Sequence, residues 1–114
     1  MGMYAEVICI GPFSKDIAQY LEYNEERYTD TLEGAIISVT LFGVSEGNTL
    51  SRKLAVTLGI SDAWDFNQHK IDKNAINFTA LELFVETNSI YAKDANTLEV
   101  LSKNGFEFHF VPNG

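Results

Sequence analysis

With a single cysteine, Cys9, the chain has no means of forming an internal disulfide. A lone thiol fits a reducing compartment, and the protein is expected in the cytoplasm. No stretch approaches the roughly 20 apolar residues that cross a bilayer. Met1 to Ile10 lacks the basic stretch and apolar core of a secretory signal. Glu6 stands where a myristoylation signal built on Gly2 needs serine or threonine. Basic residues are scarce as well: eight Lys and Arg oppose 16 Asp and Glu, for a formal net charge of -8. Such a field repels phosphate backbones and anionic membrane surfaces, so nucleic acid and membrane are not the expected partners. A basic protein is. Internal repeats and low-complexity segments are missing too. Gly11-Pro12-Phe13-Ser14 lacks the repeated glycines and the lysine of a phosphate loop, and no cofactor is expected.

What is present describes one ordinary folding unit. The 114 residues, 46% of them apolar and 21% charged, suit a single domain over 1–114 with a core of its own. Tyr4 to Ile10 reads as a central strand with apolar groups on both faces. Ser14 then caps a helix in which Phe13, Ile17, Tyr20 and Leu21 share a stripe. Ala35 to Phe42, rich in β-branched residues, is a second strand. Leu50, Leu54 and Leu58 form the stripe of a second helix, closed by Gly59 with Ile60 folding back on it. Ser61 to Asp72 reads as a short or irregular helix. A third strand is expected from Ile76, with a helix over Phe78 to Val85 as the alternative. Thr87-Asn88 would then turn a hairpin into Ser89 to Lys93. Asn96 and Glu99 have capping-box spacing ahead of a third helix ending at Gly105. Phe106, Phe108 and Phe110 alternate with Glu107 and His109 in a last strand.

The expectation is an α+β fold of α/β-like character, a single-layer mixed sheet of about five strands with three helices packed against it. The core is expected to hold Val7, Ile8, Ile10, Ile17, Leu21, Ile37, Val39, Leu41, Leu54, Leu58, Leu83 and Leu101.

Three groups of residues bear on function. Asp62, Asp65, His69 and Asp72 would share one face if Ser61 to Asp72 were helical, and carboxylates beside an imidazole suit a divalent metal or a general base. A solvated helix face explains them as well, so no metal is expected. Cys9 lies at a strand end leading into a helix, where α/β folds bind anions, but its apolar neighbours favour a buried thiol. The third group is the run from Tyr20 to Glu33, where tyrosines alternate with carboxylates. Tyrosine is enriched in interfaces, and carboxylates around it steer a basic partner. Tyr20 belongs to the helix stripe, which leaves Tyr23, Glu25, Glu26, Tyr28 and Asp30 as the expected partner-binding residues.

The preferred reading is therefore a non-enzymatic protein-binding module with an acidic face for a basic partner, such as an immunity-type inhibitor of a toxin or nuclease. A small enzyme or ligand-binding domain with a pocket at the end of the first strand is the alternative. A third reading has Phe106, Phe108 or Phe110 pairing with another copy in a homo-oligomer.

Overall fold

The computed structural model describes residues 4–21, 27–44, 48–60 and 68–113. Their chain order is β1 (Tyr4–Pro12), α1 (Lys15–Ala18), β2 (Ile36–Val44), α2 (Asn48–Thr57), β3 (His69–Ile71), α3 (Phe78–Thr87), α4 (Ala92–Ser102) and β4 (Glu107–Asn113). Single 3-10 turns, Lys73–Ala75 and Ser89–Tyr91, precede α3 and α4. Among the described residues the sheet has four strands in the order β2-β1-β4-β3, and each of their pairings is antiparallel. The fold is α+β, with four antiparallel strands in place of about five mixed ones.

Alternation along the strands decides which face is inside. Val7 pairs with Leu41 and Phe110, and Cys9 pairs with Val39 and Phe108. All six are buried, as are Ala5, Ile71 and Phe106. The helices cover this face: α2 touches β1, α4 touches β2, and α3 lies against both helices. The residues between, Ile8, Ile10, Thr40, Glu107 and His109, point to the other side. Ile10 is 36% exposed, so the expectation of a first strand covered on both faces fails. The phenylalanine triplet lies wholly within the core, so it is not available to pair with another copy.

Among the helices, α2 follows the expected pattern. Leu54 and Leu58 are buried and Leu50 is partly so. Ile60 N–H donates to the Ala55 carbonyl at 2.9 Å and Gly59 N–H to that of Val56 at 3.0 Å, with Gly59 at φ +78°. This is the double closure that glycine permits at a helix end.

Residues 76–91 decide one expectation in favour of its helical alternative and overturn another. The strand from Ile76 is instead α3, capped by Asn77, whose side-chain oxygen accepts the Ala80 N–H at 2.9 Å. Leu81 and Phe84 face inward, and Leu83, assigned to the core on strand phase, is 59% exposed. The hairpin into Ser89 to Lys93 is a 3-10 turn running into α4. Helical spacing thus prevails over the apparent alternation of Ile76, Phe78 and Ala80.

At its far end β2 carries an irregularity. Val44 pairs with Ala5 and Leu41 with Val7, so two residues, Phe42 and Gly43, oppose the single residue Glu6. Phe42 takes φ +59° and is fully buried beside Tyr91, with ring centroids 6.3 Å apart. Its N–H donates to Asp94 Oδ2 at 3.0 Å, which pins the bulge to α4.

A cleft beside the outer strand of the sheet

In the sheet order, β2 is an outer strand, and its described partner is β1 alone. Beside its outer edge lies a cleft of about 390 Å³. Four consecutive residues of β2, Ser38 to Leu41, line it. Successive strand side chains point to opposite faces, so a cleft touching all four lies along the edge. Tyr20, Arg27 and Tyr28 form one wall, and Lys93, Asp94 and Thr97 of α4 contribute another.

Specific contacts hold these walls in place. Thr97 Oγ1 donates to the Tyr20 carbonyl at 2.8 Å, fastening the end of the α1 turn to α4. Phe13 N–H donates to the Ala35 carbonyl and Gly34 N–H to the Phe13 carbonyl, each at 2.8 Å. These two bonds bring residue 13 beside residues 34–35, at the threshold of β2. The Tyr28 ring stacks on Phe13, with centroids 5.6 Å apart and planes 13° from parallel. Tyr28 is only 8% exposed. The expectation that its ring stands free for a partner is therefore corrected: the ring belongs to the core while its residue borders the cleft. Asp30 is exposed. Tyr23, Glu25 and Glu26 lie outside the described residues.

Sequence reasoning singled out Tyr20 to Glu33 but missed the residues that face it. Lys93, Asp94 and Thr97 lie far along the chain, and no periodic signal relates them to β2.

The row Asp62, Asp65, His69 and Asp72 does not occupy one helix face. His69 lies in β3, paired with Phe110 on the helix-covered side of the sheet, and Asp72 caps the following turn by accepting the Asn74 N–H. Asp62 and Asp65 fall outside the described residues. Among the described residues no group of His, Cys, Asp or Glu is arranged to hold a metal ion. His109 lies on the other face beside Glu107, at 3.4 Å, and Lys70 reaches the same carboxylate at 3.9 Å.

Cys9 is fully buried. Loss of water pushes its thiol well above the ordinary range, and the Asp94 carboxylate acts in the same direction. A thiol in that state is a poor nucleophile. At the end of β1, a side chain added at Gly11 would meet the Phe106 ring at 2.6 Å, so that ring packs directly on the Gly11 backbone. The folded chain keeps the Cys9 proton where the unfolded chain, with an ordinary thiol value of 9.0, releases it. The stability from this group is complete below about pH 9 and declines above it, by up to about 1.4 kcal/mol per pH unit. Urea unfolding at successive pH values should show a shallower alkaline decline in Cys9→Ala than in wild type. Equal slopes would mean that Cys9 ionises normally in the fold.

No family model matches the chain, and no curated protein or solved structure matches it. No helix among the described residues is long and apolar enough to cross a membrane.

Proposed function

We propose that this protein is a non-enzymatic binding module for another protein, with the β2 edge and the adjoining tyrosine segment as its recognition surface. The observation that carries this reading is the cleft itself, beside the outer strand β2, which among the described residues pairs with β1 alone, and bordered by Tyr20 and Tyr28. An unpaired edge is a template for a second chain, and natural folds commonly blunt it with lysine, proline or a covering element. Residues Ile36–Val44 contain neither lysine nor proline. Large apolar side chains stand exposed nearby: Ile36 at the start of β2 is 71% exposed and Ile90, on the cleft, 72%. The net charge of -8 gives the partner its sign, since a basic surface is drawn to this one and an acidic surface is repelled. An inhibitor of a basic toxin or nuclease, of the immunity kind and acting in the cytoplasm, is the form of module that combines these properties. The enzyme reading finds less support, because Cys9 is buried.

Affinity capture from the native cell, followed by association kinetics against the captured protein, tests the proposal. The partner should be basic, and its association rate should fall as salt rises. Glu25→Lys with Glu26→Lys should slow association and flatten that salt dependence, because peripheral charges act mainly on the on-rate. An acidic partner, or an association indifferent to both salt and the double substitution, would remove the charge-directed reading.

A further inference from the structure

We infer that the groove between α2 and α3 is a second docking surface, one that seats an amphipathic acidic helix of a partner protein. Apolar side chains of that helix lie between α2 and α3, with its carboxylates toward Arg52 and Lys53. This goes beyond the reading above, because the residues lining the groove and those lining the cleft beside β2 do not overlap. The groove measures about 380 Å³. Arg52, Lys53 and Val56 form one wall, and Ala80, Leu83 and Phe84 the other. Both walls are stretches described without a gap.

Helical spacing explains the wall on α2. Ser51, Leu54, Ala55 and Leu58 are buried, so Arg52, Lys53 and Val56 fall on the side turned away from the core. The Asn77 N–H donates to the Thr57 carbonyl at 2.8 Å and ties the end of α2 to the start of α3. From Ala80 to Thr87, α3 rises about 10 Å, enough to match about two turns of a partner helix. The floor is firm, since Phe84 is buried and stacked on Tyr91 with ring centroids 6.0 Å apart.

Polar groups along the groove are spent on their own helices. Thr57 Oγ1 donates to the Leu54 carbonyl at 2.7 Å, and Thr87 Oγ1 donates to that of Phe84 at 3.2 Å. Asn88 Nδ2 donates to the same Phe84 oxygen at 3.0 Å. What remains on offer is apolar. Val56 is 69% exposed and Leu83 59%, on facing walls. Valine is one of the poorer helix formers, so α2 gains nothing from it at an exposed position. Two exposed apolar side chains across one groove are the anchor points that helix-in-groove docking uses.

Charge selects the partner. Residues 48–57 of α2 hold Arg52 and Lys53 and no carboxylate, in a chain with 16 acidic and eight basic residues. Among the described lining residues these two cations are the only charged side chains. Glu82 lines a separate hollow on the α4 side of α3, and Glu86 follows it one turn later. The net charge of -8 acts at a distance, but physiological salt screens it beyond about 8 Å, and the local pair decides at contact. A helix bearing carboxylates is therefore matched in the groove, and one bearing lysine is opposed.

The test is a methyl-resolved NMR titration of the full chain, in about 0.15 M salt, with three capped helical peptides. The first carries a leucine stripe flanked by glutamate, the second has lysine in place of glutamate, and the third has alanine in place of leucine. The leucine–glutamate peptide should shift the methyl groups of Val56 and Leu83. At those methyl groups the lysine peptide should bind at least about tenfold more weakly, and the alanine peptide should leave them unmoved. Lys53→Glu, a change at an exposed helix position, should narrow the preference for glutamate over lysine by at least about threefold. No shift of these methyl groups at about 1 mM leucine–glutamate peptide, or shifts confined to other elements, would overturn the groove as a docking site. Equal or tighter binding of the lysine peptide there, or an unchanged preference in Lys53→Glu, would overturn the acidic occupant. Either failure leaves the cleft beside β2 and its basic partner untouched, since none of these substitutions reaches it.

Discussion

Tyr28→Ala should destabilise the protein by about 3–5 kcal/mol, the range for removing a large aromatic ring from a core. The ring is 8% exposed and stacked on Phe13, itself 3% exposed, so its loss leaves a hole that the surrounding chain fills only in part. The aromatic pair contributes about 0.5–1.5 kcal/mol beyond buried area. It also joins two stretches of chain, since Phe13 is tied through its own N–H and carbonyl to Ala35 and Gly34. Truncating Tyr28 should therefore loosen the approach to β2 as well as the core. Domains of this size are stable by about 5–15 kcal/mol, so the variant should unfold at markedly lower urea. Tyr28→Phe, which keeps the stacked ring, should lose far less. A Tyr28→Ala protein within about 0.5 kcal/mol of wild type would return the ring to the surface, where the sequence alone had placed it.

That reversal illustrates where the sequence was legible. Stripes whose members are neighbours along one element were readable: Leu50, Leu54 and Leu58 in α2, and Phe106, Phe108 and Phe110 entering β4. The closing glycine at position 59 was readable for the same reason, since its role depends on the last turn alone. Tyr28 was not, because its partner Phe13 is brought to it by a turn that carries no periodic pattern. Residues 76–80 left strand and helix both open because isoleucine, phenylalanine and alanine at alternate positions imitate a strand, and the Asn77 cap that favours the helix is a single side chain. The three residues of β3 are too few to show a period. The edge of β2 was hidden for a different reason. Strand order is a property of the whole sheet, and nothing in Ile36 to Val44 announces that it is an outer strand. Half of the candidate site, the tyrosine segment, was therefore visible in the sequence, and the half supplied by α4 and strand order was not.

The contact between Gly11 and Phe106 yields the second large effect. Phe106 is fully buried, and its ring lies where a side chain at position 11 would go, with three ring carbons 2.6–2.8 Å from an added Cβ. Gly11 does not have a positive φ, so alanine meets no backbone penalty there and the conflict is steric alone. Phe106→Ala should cost about 3–5 kcal/mol through lost burial and the cavity left behind. Gly11→Ala should cost about 1–3 kcal/mol, because the ring must move within a full core. The two losses should not add. With the ring gone, the new methyl group at position 11 enters space that Phe106→Ala has emptied, so the double variant should be more stable than the sum predicts by about 0.5–3 kcal/mol. Chemical denaturation of the four proteins at one pH measures this coupling directly. Additivity within about 0.3 kcal/mol would mean that the ring and the glycine are not in contact in solution.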